Sequence, residues 1–185
     1  AFVIGEYSDV RQYAGNIQLH NYTYTDEVAA TTASVERLPD MVDYFSKTTG
    51  VSYPYETYSQ VFVLDVPWGM AATSMAIQTE NMVDDFGTHA DFLYLWDGLE
   101  GESLAQQWFG NYVTCNDPNH IWLTKGIARY FSGLYNANKN GKDEFLLWQH
   151  AYDQSTYFFD WDYSVRQALV NTDTNNIYNF VNSNT

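Results

Sequence analysis

The chain has 185 residues, 45% of them hydrophobic and 18% aromatic, enough for one domain with a real core and too apolar for a disordered chain. Its 8 Lys and Arg face 23 Asp and Glu, a formal charge of −15. Nucleic acid and acidic membrane surfaces are therefore poor partners, since phosphate binding needs clustered cations. No apolar run approaches the ~20 residues of a spanning helix, so membrane insertion is not expected.

In chain order, Phe2 to Val10 and Asn16 to Thr25 read as two strands around an Ala14-Gly15 turn, with Ile17 and Leu19 alternating with polar neighbours. Thr25 or Asp26 then caps a helix reaching Thr49, where Gly50 supplies the stop. Pro39 lies inside that span and predicts a kink or break near Leu38. Met41, Val42, Tyr44 and Phe45 give its second half a buried face. A strand is expected over Gln60 to Val66. Asn21-Tyr22-Thr23 fits the glycosylation triplet, a pattern too common to weigh.

The segment Gln78 to Asp91 is short and polar, and Asp97-Gly98 reads as a turn opening the next helix. From Gly101 to Phe131 two helices are expected, joined by a break at Asn116-Asp117-Pro118-Asn119. Leu104, Ala105, Trp108, Phe109, Tyr112 and Val113 recur at helical spacing in the first. Ile121, Trp122, Ile127, Ala128, Phe131 and Leu134 do so in the second. Asn136 to Gly141 then reads as loop, Asp143 to Tyr152 as helix, Tyr163 to Val170 as a last helix, and Asn171 to Thr185 as a polar tail.

The order of residues in that helix pair carries more than periodicity. Leu-Ala-Gln-Gln-Trp-Phe-Gly-Asn-Tyr-Val-Thr, followed by Ile-Trp-Leu-Thr-Lys-Gly-Ile-Ala-Arg-Tyr-Phe, resembles the zinc-site helices of the aminopeptidase N family. That family of gluzincin metallopeptidases carries HExxH on the first helix and a glutamate ligand at the start of the second. The resemblance runs from about Phe2 onward and implies an α+β, thermolysin-like fold, with a sheet-bearing half followed by a helical half. It also implies a single domain over residues 1–185, cut from a longer chain with flanking domains, a saddle-shaped β-domain before it and a helical domain after it.

Laid on the family pattern, the scaffold positions match and the chemical ones do not. Glu102 falls where the first histidine ligand belongs, Ser103 at the general base, Gln106 at the second histidine and Lys125 at the third ligand. The family's spacing is kept, Lys125 lying nineteen positions after Gln106. Zinc needs three lone-pair donors and an open position for water, and the reaction needs a carboxylate to take the proton. The resemblance therefore implies no catalytic residue and no resident metal at these degenerate positions. Tyr53-Pro54-Tyr55 leads toward Pro67-Trp68-Gly69-Met70-Ala71-Ala72, which resembles the family's cleft-lining G-x-M-E-N segment. The glutamate that grips a substrate's amino terminus there falls on Ala71, or on Ala72 without a one-residue gap. The family's transition-state tyrosine is expected beyond Thr185.

The resemblance thus points to a pseudoenzyme domain acting as scaffold, interaction surface or peptide binder. The alternative is an active metal-dependent hydrolase with a rearranged site. Trp68 either helps line a surviving peptide groove or plugs it. Lys125 is expected to pair with Glu102 where the ion's charge would stand, at a cost of about 3–5 kcal/mol for Lys125→Ala if fully buried; otherwise both point apart into an open cleft. Asp84, Asp85, His89 and Asp91 have ligand-capable side chains but read as a solvated loop, with calcium as the lesser alternative. His20 and His120 read as lone histidines, and Cys115 as a packing residue. One cysteine forms no internal disulfide and leaves the compartment open, with a secreted or periplasmic location favoured.

Overall fold

A computed structural model describes residues 2–64, 66, 69–84, 87, 91, 93–163 and 170. Its first half is a five-stranded sheet in the order β1-β2-β3-β5-β4. Strands β1 (Ser8–Ala14) and β2 (Ile17–Thr23) form an antiparallel hairpin. The register pairs Ala14 with Ile17, so Gly15 and Asn16 alone make the turn, with Gly15 at φ 59°. The first strand therefore begins later than the hydrophobic pattern suggests and runs on to Ala14. Phe2 and Ile4 lie outside it and are exposed.

Helix α1 (Val28–Ser34) and helix α2 (Leu38–Thr49) carry the chain across to β3 (Thr57–Val63), parallel to β2. The break falls at residues 35–37, with Pro39 in the first turn of α2, where its missing N–H costs nothing. Gly50 ends α2 at φ 71°. Pairing of Gln18 with Thr57 sets β3 about three residues earlier than expected. The strands β4 (Met70–Ala72) and β5 (Met75–Thr79) form a second hairpin, which the sequence pattern did not reveal.

Helix α3 (Leu93–Ala105) begins earlier than expected and runs straight through Asp97-Gly98. The reason is packing against α4 (Ile121–Asn140). Ser132 Oγ donates to Gly98 O at 2.8 Å, and a Cβ on Gly101 would stand 2.8 Å from Ser132 Oγ. Gly98 and Gly101 are thus where the two helices approach closely, not turn residues. After Ala105 the chain tightens into turns. Gly110 lies at φ 144°, which leaves Tyr112 and Val113 exposed rather than on a buried helical face.

Helix α4 continues through the expected loop to Asn140. Lys139 Nζ reaches Asp40 Oδ2 at 2.8 Å, and Arg37 Nη1 donates to Asn140 Oδ1 at 2.9 Å, so contacts to α2 and its approach hold this polar turn in the helix. A helical run then spans Lys142–Glu144, a π-helical Phe145–His150 and α5 (Ala151–Tyr163). The predicted Asp143–Tyr152 helix is thus part of a longer one. The predicted final helix past Tyr163 and the Asn171–Thr185 tail lie outside the described residues.

The main core joins Leu19, Leu38, Met41, Phe45, Tyr53, Tyr58, Leu104, Trp108, Ala128 and Tyr135. Phe45 meets Trp108, Phe131 and Tyr135 edge-on, with centroids 6.0, 6.4 and 6.2 Å away. These rings fix α2 against the α3–α4 pair, and so fix the faces of α3 that carry its polar residues. Among the described residues no helix is long and apolar enough to cross a membrane.

Candidate functional site

Helix α3 and the turn that follows it present two polar faces. Glu100, Ser103 and Gln107 lie at helical spacing toward the sheet, and all three are buried. Glu102 and Gln106, one turn apart, look instead toward α4.

The sheet-facing residues complete a hydrogen-bonded ladder. Asn21 Nδ2 donates to Gln12 Oε1 at 3.2 Å, Gln60 Nε2 to Asn21 Oδ1 at 3.1 Å and to Glu100 Oε1 at 2.7 Å, and Gln78 Nε2 to Gln60 Oε1 at 2.9 Å. Ser103 Oγ adds a long contact to Gln78 Oε1 at 3.5 Å. Glu100 is 1% exposed, and desolvation pushes its carboxyl up to about 8 against the Gln60 bond. It is therefore mostly a neutral acid at pH 7. Asn21 is fully buried in this ladder, which removes it as a glycan acceptor. One turn earlier on α3, burial lifts Asp97 to about 6 although Arg37 Nη1 lies 2.7 Å away.

Gln107 clamps the second hairpin. Its Oε1 accepts from Ser74 N at 2.8 Å, and its Nε2 donates to Ala72 O at 3.1 Å. Ser74 sits at φ 56°, an uncommon conformation for a side-chain-bearing residue, and this amide holds it there. Gly69 lies so close that a Cβ would collide with Gln78 Oε1 and stand 2.8 Å from Ser103 Oγ. Of the residues read as cleft-lining, Met70 is exposed at the sheet edge and Ala71 and Ala72 are half-buried. Trp68 lies outside the described residues.

On the other face, Glu102 meets two cations. Its Oε1 is 3.9 Å from Lys125 Nζ and its Oε2 is 3.2 Å from Arg129 Nη1. Gln106 Nε2 leans on Oε1 at 3.4 Å. Arg129 also grips Asp153 on α5 with Nε at 3.0 Å and Nη2 at 2.6 Å from Oδ1. The structure therefore brings Glu102, Gln106 and Lys125 together and sets Ser103 on the opposite, sheet-facing side. Sequence reading missed Arg129 and Asp153. Arg129 was legible as the residue one turn after Lys125; Asp153 was not, because the expected helix ended at Tyr152, one residue before it.

These groups are only partly sheltered. The side chains of Glu102, Lys125, Arg129 and Asp153 keep 18, 27, 32 and 41% of their exposure. Burial works against Arg129's charge, yet the Asp153 and Glu102 carboxylates hold its guanidinium above the ordinary arginine range. The expected cost of removing Lys125 falls accordingly, since a partly exposed pair as long as 3.9 Å is worth under about 1 kcal/mol.

Elsewhere, His20 Nδ1 lies 3.0 Å from Asp9 on the outer hairpin, and Cys115 Sγ packs 3.2 Å from His120 O. Of the acidic segment before α3, Asp85 and His89 lie outside the described residues.

Comparison with known proteins matches residues 33–182 to the peptidase family M1 domain. The transcription initiation factor TFIID subunit 2 of Drosophila melanogaster is 29% identical over 116 residues, 62% of this chain and 9% of that protein. Endoplasmic reticulum aminopeptidase 2 of Bos taurus is 25% identical over 138 residues, 70% of this chain and 14% of that protein. Aminopeptidase M1-A of Oryza sativa subsp. japonica is 23% identical over 181 residues, 96% of this chain and 20% of that protein. The chain thus spans a fifth or less of the length of these relatives.

Proposed function

The chain belongs to peptidase family M1, and from that premise we propose that it is a non-catalytic member, a scaffold or interaction domain within a longer protein. One observation carries the reading: at the positions that the resemblance lays on the family's metal site, the donors are already spoken for. Glu102 turns one oxygen to Arg129 and the other toward Lys125 and Gln106. Gln106 contributes an amide, and Lys125 a cation with no lone pair to give at neutral pH. Zinc prefers thiolate, imidazole or free carboxylate, so this set does not fit it.

Water activation meets the same obstacle. Ser103, at the general-base position, is no base at neutral pH and sits under Gly69 with its hydroxyl toward Gln78. Ala71 and Ala72 offer no carboxylate to a substrate's amino terminus. Relatives many times longer, one of them a subunit of a transcription initiation factor, support a role alongside flanking domains. Binding of peptide along the β4 edge is the narrower form of the proposal.

The test is zinc analysis of the purified protein together with hydrolysis of aminoacyl arylamides. Less than stoichiometric zinc and no cleavage are expected; stoichiometric zinc with cleavage would favour an active, rearranged site. Combining Glu102→His, Ser103→Glu, Gln106→His and Lys125→Glu is expected to restore zinc binding without full activity. Isothermal titration with short peptides then separates a binder from a spacer.

A further inference from the structure

Arg129 and Lys125 both face Glu102, but they do different things. Lys125 reaches Glu102 alone, at 3.9 Å. Arg129, from its place on α4, reaches Glu102 of α3 at 3.2 Å and Asp153 of α5 at 2.6 and 3.0 Å, and its guanidinium lies 5.9 Å over the Tyr152 ring. One planar cation therefore touches three helices, a geometry a lysine's point charge does not reproduce.

Helix α5 needs such a contact. From Ala151 to Phe159 its residues are exposed except Asp153, and Tyr152 and Phe158 keep more than half their surface. Over Ala151–Phe159 no apolar stripe is buried, and a stretch of helix without one gains little from packing, which is what normally fixes its position. Asp153 ties α5 to α4 through Arg129, whose other arm reaches Glu102 of α3.

We infer that Arg129 is a three-way joint that fixes α5 to the α3–α4 pair, using for its second arm the carboxylate at the family's first metal-ligand position. The residues around Glu102 then form a charge-neutral fastening, with Glu102 and Asp153 balancing Arg129 and Lys125. The inference rests on the metal-free reading only through Glu102, because a metal bound there would take the oxygen that Arg129 holds. The Arg129–Asp153 arm stands independently of it.

Limited proteolysis with chymotrypsin tests the joint, because Tyr152 and Phe158 are exposed cleavage sites on α5. Cleavage at these sites tracks how often the helix opens. Asp153→Asn, at a half-exposed position, and Arg129→Gln should each speed it about threefold or more, while Lys125→Gln changes it less than about twofold. Raising salt from about 0.05 to about 1 M should speed cleavage of the unmodified protein and leave Asp153→Asn little changed, because the joint is ionic. The near-ultraviolet signal of the aromatic core reports separately that each variant is folded. Equal rates in the unmodified protein and Asp153→Asn overturn the joint, as does a Lys125→Gln effect as large as that of Arg129→Gln. Stoichiometric zinc with an intact Asp153 effect would instead defeat the functional reading and spare the Arg129–Asp153 arm.

Discussion

Glu100 and Glu102 stand two residues apart on one helix and lead opposite lives. A two-residue step on an α-helix turns by more than half a circle, so one carboxyl enters the sheet interface and the other faces α4. Glu100 is sealed among amides, receives one 2.7 Å bond from Gln60 and keeps its proton near neutrality. Glu102 stays partly wet and is balanced by Arg129 and Lys125. A buried acid without a cation goes neutral, whereas one set between two cations is balanced by them. The comparison teaches that polar groups on α3 specify the fold on one face and fasten a neighbouring helix on the other.

The sealed face should break hardest. Gln60→Leu removes the hub of the ladder and takes a partner from Asn21, Glu100 and Gln78 together; at about 1–3 kcal/mol for each buried unsatisfied group, a loss of about 4 kcal/mol or more is expected in denaturant unfolding. A loss under about 1 kcal/mol would mean that the ladder is not closed in solution.

Acid–base behaviour sharpens the contrast. Glu100 has its folded value raised from 4.5 to about 8, so the folded state holds a proton that the unfolded state releases. Stability is fully present below pH 4.5, declines as pH rises through the window to about 8, and is flat above it. A drop of roughly 2–4 kcal/mol across that window is expected in unfolding midpoints, and Glu100→Gln, which mimics the neutral acid, should flatten most of it. Asp97, raised to about 6, adds a smaller decline of the same sign at lower pH. A stability that rises over the same range would contradict the neutral-acid account.

Smaller effects follow on the hairpin and on the wet face. Gln107→Ala should cost about 2 kcal/mol and speed amide exchange at Ser74, whose N–H loses its 2.8 Å acceptor. Lys125→Ala should cost under about 1 kcal/mol, well below what a fully buried pair would lose. A larger loss would show the Glu102 cluster to be drier than its exposure indicates.

Much of this was legible in the chain, and the failures have physical causes. The Leu104–Trp108 run and the Trp122–Phe131 run announced the family and its α+β fold, because they are scaffold residues whose spacing packing preserves. Pro39 and Gly50 placed the break and the end of α2, since their effects are local. Asp97-Gly98 misled because a dipeptide that favours turns was used for close helix contact with Ser132 and an ion pair to Arg37. The β4–β5 hairpin was missed because its strands are three and five residues long and are held by the side chain of distant Gln107. The ladder was invisible for a related reason: Gln12, Asn21, Gln60 and Gln78 look like surface residues until the strand registers bring them together. Lys125 beside Glu102 followed from the resemblance to the family's metal site, but the tighter grip of Arg129 depended on where α5 lies.

The central claim is that the cluster around Glu102 is neutralised by side chains and not by a metal. Inductively coupled plasma mass spectrometry of the purified protein, after equilibration with zinc and desalting, tests it most directly. The account predicts far less than one zinc per chain, unchanged by Glu102→Gln. One tightly retained zinc per chain that disappears in Glu102→Gln would contradict it.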